Sequence, residues 1–152
     1  MPASSQSFVI ENTPAALTGV IPKIEEFLDG YPLPKKDKFA VFLSVEEHLT
    51  NVIKYGYEPG TTDQIVFRLE CTPEGVTFIC EDHGKYFDST KSPEPDTSSP
   101  LETRPIGGLG LHLIRKNMPD HSYERRGATN RIRLRRPLSM GPPGSPSDTL
   151  RP

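Results

Sequence analysis

Apolar residues recur with a helical period along one long stretch of the chain and alternate with polar ones along several short stretches. From Lys35 to about Tyr55, the residues Phe42, Val45, Leu49, Val52 and Ile53 fall on one side of a 3.6-residue period, which predicts a long helix with a core-facing stripe. Before it, Ser7 to Glu11 is short and β-prone, and Thr13-Pro14 has the form of an N-cap followed by proline in the first helical turn. A helix to about Leu28 is expected there, kinked at Pro22, and Pro32 and Pro34 then break the chain. Gln64 to Cys71 and Val76 to Asp82 alternate with period two on either side of Thr72-Pro73-Glu74-Gly75, which reads as a hairpin. Pairing Thr72 with Gly75 sets Phe67 opposite Cys80, Leu69 opposite Phe78 and Cys71 opposite Val76, so the apolar faces of the two strands coincide.

Gly108 to about Met118 reads as a third helix, stopped by Pro119, and two strands follow at about His121 to Arg126 and Thr129 to Arg136. Hairpin strands with helices grouped between them point to an α+β two-layer sandwich, with the helices on one face of a mixed β-sheet. The hairpin register also bears on the two cysteines. It sets Cys71 and Cys80 about four strand positions apart, roughly 13 Å, too far for a disulfide.

A chain of 152 residues suits one compact domain. Of its 17 prolines, four lie in residues 93–105 and five in residues 137–152, which marks two irregular segments. The second has too little apolar content to offset the entropy of ordering it, so the expected division is a domain over 1–136 and a disordered tail over 137–152. A formal net charge of -2 argues against a general nucleic-acid coat or a polybasic membrane anchor. No stretch approaches a membrane span, and the first residues have no basic region followed by an apolar run, so a cytoplasmic protein is expected.

Three places carry candidate chemistry. Glu47 and Asn51 are four residues apart on the long helix, on a face nearly opposite the Val45-Leu49-Val52 stripe and outside the densest core, and an isolated pair of this kind is ordinarily a solvated face. Asp82 points the same way as Val76, Phe78 and Cys80; a carboxylate there needs a partner, and a turn bond to following N–H groups and a ligand role are equally open. Gly107-Gly108-Leu109-Gly110 opens a helix, where backbone N–H groups can cradle phosphate. No lysine follows to make it a Walker site, and no strand precedes it to make a dinucleotide fingerprint. The strand Arg131-Ile132-Arg133-Leu134-Arg135 alternates arginine outward, chiefly a solvated sheet face and secondarily a patch for an acidic partner.

Taken in order, these elements resemble the ATP-binding boxes of the GHKL superfamily, the histidine kinase-like ATPases, over about Phe8 to Arg136. Residues 45–57 are similar to its N-box, Asp82-His83-Gly84-Lys85-Tyr86-Phe87-Asp88 to its D-x-G-x-x-F box, and Gly107-Gly108-Leu109-Gly110-Leu111 to its second glycine box. The Gly56-Tyr57 ending, the short chain, and the stretches 113–120 and 127–130 resemble the anti-sigma-factor serine/threonine kinases within it. Tyr55 stands where that family commonly has histidine, and Pro119 where it usually has a residue compatible with helix.

The resemblance implies a Bergerat fold that binds ATP and Mg²⁺, with Asn51 on the metal, Asp82 on the adenine amino group, Thr129 near the same adenine edge, and residues 93–105 as a lid. Gly84, Phe87, Leu109 and Leu111 belong to the same implied cofactor site. Arg104 is the lid cation nearest the glycine box, a candidate for the terminal phosphate. Glu47 would serve as general base toward a serine hydroxyl. The implied function is a kinase acting as an anti-sigma factor on a STAS-type anti-anti-sigma partner, with a sigma factor and a homodimer as candidate assemblies. A non-catalytic ATP-dependent binding module and a detached histidine-kinase catalytic domain are the alternatives.

Overall fold

The computed structural model of the chain describes residues 2–88 and 108–138. In chain order these form β1 (Ser4–Glu11), α1 (Pro14–Asp29), α2 (Lys35–Tyr55), β2 (Gln64–Thr72), β3 (Gly75–Asp82), α3 (Gly108–Asn117), β4 (Asp120–Arg126) and β5 (Thr129–Pro137). The Thr13 hydroxyl caps α1 by accepting from the Ala16 N–H at 3.1 Å, and α1 runs through Pro22 as one helix. Pro137 still pairs with Gly75, and the Leu138 N–H bonds the Glu74 carbonyl at 3.0 Å, so the fold extends just past residue 136. The rest of the expected tail, residues 139–152, lies outside the described residues.

The five strands form one sheet in the order β1-β2-β3-β5-β4. Every ladder is antiparallel, a correction to the mixed sheet expected from the sequence. The reason lies in the connections. Two helices between β1 and β2 return the chain antiparallel, while the single helix between β3 and β4 makes those strands parallel, and β5 is inserted between them. The β2–β3 register follows the hydrophobic alternation, with Phe67 opposite Cys80, Leu69 opposite Phe78 and Cys71 opposite Val76. Both cysteines are free and buried.

Alternation along the strands makes one sheet face apolar, and the helices cover it. Ile65, Phe67, Leu69, Phe78, Ile132 and Leu134 meet Ile24 and Leu28 of α1, Val41, Val45 and Leu49 of α2, and Ile114 of α3 in one core. Phe8 stacks on Phe67 with ring centres 4.7 Å apart. The opposite face is polar, and its arginines meet carboxylates, Arg133 to Asp120 at 3.5 Å and Arg131 to Glu124 at 3.9 Å. At one end of the core, Arg136 Nε donates to the fully buried Asp37 at 2.7 Å and its Nη1 to the Asn117 carbonyl at 3.0 Å. That contact ties α2, α3 and β5 together.

Candidate functional site

Helix α2 carries Glu47 and Asn51 one turn apart, as the sequence spacing requires. Their surroundings differ from expectation in one respect. Asn51 is only 3% exposed, although the sequence places it outside the densest core. Its amide Nδ2 has no hydrogen-bond partner among the described residues. Glu47 is half-buried. Between them, His48 is buried edge-on against Phe78, with ring centres 5.7 Å apart, and burial lowers its pKa to about 4 while the field of Asp82 works in the other direction.

At the end of β3, Asp82 is buried, and one of its oxygens makes the turn bond that the sequence left open. Oδ1 accepts from the Gly84 N–H at 2.8 Å, the turn bond, and from Asn130 Nδ2 at 2.9 Å. Oδ2 receives no hydrogen bond from the described residues. Asn130 stands directly opposite Asp82 in the β3–β5 ladder, and its Nδ2 also reaches the carbonyls of Gly84 (3.1 Å) and Lys85 (3.0 Å). Its Oδ1 accepts from Tyr123 and from Arg125 at 2.8 Å, and Arg125 bonds the Gly84 carbonyl at 2.9 Å. A carboxylate held through one oxygen in this way keeps the other in a fixed direction.

The turn after Asp82 docks on the end of α2. The Lys85 N–H bonds the Gly56 carbonyl at 2.8 Å, and a Cβ on Gly84 would lie 2.5 Å from that carbonyl oxygen. Only glycine allows this approach. Beside it, Tyr57 donates to Asp63 at 2.7 Å, His83 Nδ1 lies 3.1 Å from the same carboxylate, and Asn12 bonds the Asp63 N–H at 3.0 Å. Burial alone would raise the Asp63 pKa, but the bonds from Tyr57, the Gln64 N–H and His83 hold it below its ordinary value. Phe87 packs against the core rather than standing free.

The expected glycine box is described in part. Gly108, Leu109, Gly110 and Leu111 form the first turn of α3, whose N–H groups have no partners within the helix. Gly107, Arg104 and the expected lid at 93–105 lie outside the described residues. Thr129 is a correction. It lines a hollow of about 290 Å³ with Glu81, Glu124, Arg126 and Arg131 on the outer sheet face, and its neighbour Asn130 is the residue that reaches Asp82. Strand alternation puts the two on opposite faces.

A carboxylate, an asparagine and a glycine-opened helix thus converge at one end of the sandwich, and the sequence model of the histidine kinase-like ATPase domain matches residues 10–136. The chain belongs to the histidine kinase-like ATPase family. This ATPase domain is 31% identical over 97 residues to the serine/threonine-protein kinase BtrW of Bordetella bronchiseptica, covering 64% of this chain and 68% of that protein. It also superposes on a crystal structure of the RsbU and RsbW domains of a Mycobacterium tuberculosis protein, with a TM-score of 0.64 at 14% identity. That match covers 90% of this chain and 33% of the other, and is a likeness of fold. Among the described residues no helix is long and apolar enough to cross a membrane.

Two residues beside the candidate site escaped the sequence reading. His48 carried a signal, a polar residue inside the apolar stripe of α2. Asn130 carried none that could be read without knowing that β3 pairs with β5.

Proposed function

We propose that this ATPase-family domain is an ATP-dependent serine/threonine kinase that acts in the cytoplasm as an anti-sigma factor on a STAS-type anti-anti-sigma partner. The observation that carries it is the pairing of Asn51, buried with an unsatisfied amide, with Glu47 one turn away and without a described partner. The free oxygen of Asp82 fits the adenine amino group, and the first turn of α3 fits the phosphates. Among the described residues no three His, Cys, Asp or Glu side chains form a metal cluster, so Mg²⁺ would be carried by Asn51 together with the nucleotide's phosphates and water. Bound there, it would neutralise charge on the transferring phosphoryl group.

In the proposed transfer, the serine oxygen of the partner bonds to the γ-phosphorus, the bond from that phosphorus to the bridging oxygen of ADP breaks, and Glu47 accepts the serine proton. The name of the Bordetella relative and the RsbW-like fold support the serine/threonine branch. The test is transfer of labelled γ-phosphate to a serine of the co-purified partner. Glu47→Gln is expected to keep ATP and partner binding and to lower transfer by about 10²-fold or more. Partner binding that depends on ATP without any transfer by the unmodified protein would make it a binding module instead, and label on histidine would place it with histidine kinases.

A further inference from the structure

The turn that carries Asp82 is fastened to the rest of the molecule at several points outside β3. Asn130 of β5 and Arg125 of β4 bond its carbonyls, the Lys85 N–H bonds the Gly56 carbonyl at 2.8 Å, and the His83 N–H donates to the Tyr57 hydroxyl at 3.2 Å. The last fastening is the His83 ring, whose Nδ1 lies 3.1 and 3.3 Å from the two carboxylate oxygens of Asp63. Only this one contains a side chain of the type that ordinarily changes charge near neutral pH.

Asp63 is a fixed post. Its N–H donates to the Asn12 side chain at 3.0 Å, its carbonyl accepts from the Asn12 N–H at 3.0 Å, and the Asn12 amide bonds the Thr61 carbonyl at 2.9 Å. The residue is thereby tied to the end of β1 as well as to the start of β2. Its carboxylate also accepts from the Tyr57 hydroxyl at 2.7 Å. Burial, and then that bond, push the Tyr57 pKa well above its ordinary value, so the tyrosine stays a neutral donor while the carboxylate stays charged. The side chain of His83 is about half exposed and open to protons from solvent.

A neutral imidazole keeps its bond to Asp63 only in the tautomer that carries the proton on Nδ1. The imidazolium always carries that proton, and its charge-assisted bond to a carboxylate is about twice as strong. The other charges near the ring are Asp82, which precedes it in the chain, Arg125 on the Gly84 carbonyl, and Lys85 and Glu58, which face each other at 3.9 Å. One step past the paired ends of the ladders, Gln64 of β2 and Thr129 of β5 flank His83, both uncharged, with Glu11 one strand further out.

We propose that His83 and Asp63 are positioning residues of the nucleotide site, whose ion pair fastens the turn that carries Asp82, so that ATP binding tightens as the imidazole takes up a proton. ATP held at Asp82 keeps the turn docked, and a docked turn keeps His83 against Asp63, so nucleotide and proton favour the same arrangement and each tightens the other. The gain is full below the ordinary histidine range and is lost as pH rises through it. The inference rests on the ATP reading above.

The test is calorimetric binding of Mg-ATP from about pH 5.5 to about pH 8.5 by the full chain, His83→Gln and Asp63→Asn. The affinity of the unmodified protein relative to His83→Gln is expected to rise about three- to fivefold on going from the alkaline to the acid end, the worth of a partly exposed ion pair. Protonation of the ATP phosphates and of His48 is common to all three proteins and cancels in the ratio. Asp63→Asn keeps an acceptor oxygen but no charge, and is expected to follow His83→Gln. A merely structural bond would instead weaken the variants by the same factor at every pH. A constant ratio, or an Asp63→Asn protein with the unmodified profile, overturns the assignment while leaving the ATP reading in place. An unmodified protein that binds no ATP at any pH overturns both. Should Asp63→Asn fail to fold, His83→Lys, charged across the whole range, is expected to bind more tightly than His83→Gln by a factor that does not change with pH, and equal affinity of those two variants counts against the ion pair.

Discussion

Asp82 ends a strand whose other inward side chains are Val76, Phe78 and Cys80, and its charge is tolerable there because Asn130 and the Gly84 N–H meet one of its oxygens. Replacing Asn130 by leucine removes an amide whose two protons are shared among the Asp82 carboxylate and the Gly84 and Lys85 carbonyls. We expect a loss of about 2–4 kcal/mol in urea unfolding and weaker ATP binding; unchanged values would show that Asp82 needs no orienting partner. The need for a partner at Asp82 was legible from hairpin alternation alone. The identity of that partner was not, because a slip of one residue along β5 exchanges Thr129 for Asn130 and turns the side chain to the other face.

His48 gives a second prediction at the same scale. Its folded pKa of about 4 lies below the ordinary histidine value of 6.5, so the unfolded chain takes up a proton first as pH falls. Stability from this residue is therefore full above about pH 6.5 and is lost progressively toward pH 4. Between pH 7 and pH 5 the unmodified protein should lose about 2 kcal/mol more than His48→Leu, since other titrating groups are common to both. Parallel losses in the two proteins over that range would rule out a neutral buried imidazole.

Among elements, local information went furthest. The β2–β3 hairpin was legible down to individual pairs because its turn and its alternation lie within one short stretch. The order of β5 and β4, and the burial of Asn51, depend on contacts between distant segments and leave no periodic trace. The docking of the Asp82-His83-Gly84 turn on the end of α2 falls between these cases. Its glycine was visible, but the reason for it, the Gly56 carbonyl 2.5 Å from where a Cβ would lie, was not. Gly84→Ala must displace backbone and is expected to cost about 1–3 kcal/mol, with a matching loss of ATP affinity because Asp82 moves with its turn. Gly19, with open space around its added Cβ, is the control, and Gly19→Ala should be neutral or slightly stabilising. Equal thermal midpoints for the two variants would remove the steric argument.

For the whole molecule, the question is what keeps the Asn51 helix and the glycine-opened helix in register, since they meet through packing and not through the sheet. Asp37 near the start of α2 is fully buried, and Arg136 at the end of β5 bonds both it and the last turn of α3. Removing the arginine takes a charge-assisted hydrogen bond from a buried carboxylate, so Arg136→Met should cost about 1.5–3 kcal/mol. Removing both charges in Asp37→Leu with Arg136→Met should recover most of that loss, because well-packed apolar groups commonly equal a buried ion pair. Stability and binding then separate. If the clamp also sets the spacing of α2 and α3, the double variant regains its urea midpoint but still binds ATP more weakly than the unmodified protein, since the bond to the Asn117 carbonyl is not restored. Full ATP affinity in the double variant would mean that hydrophobic packing around Ile114 and Met118 alone holds α3 in place.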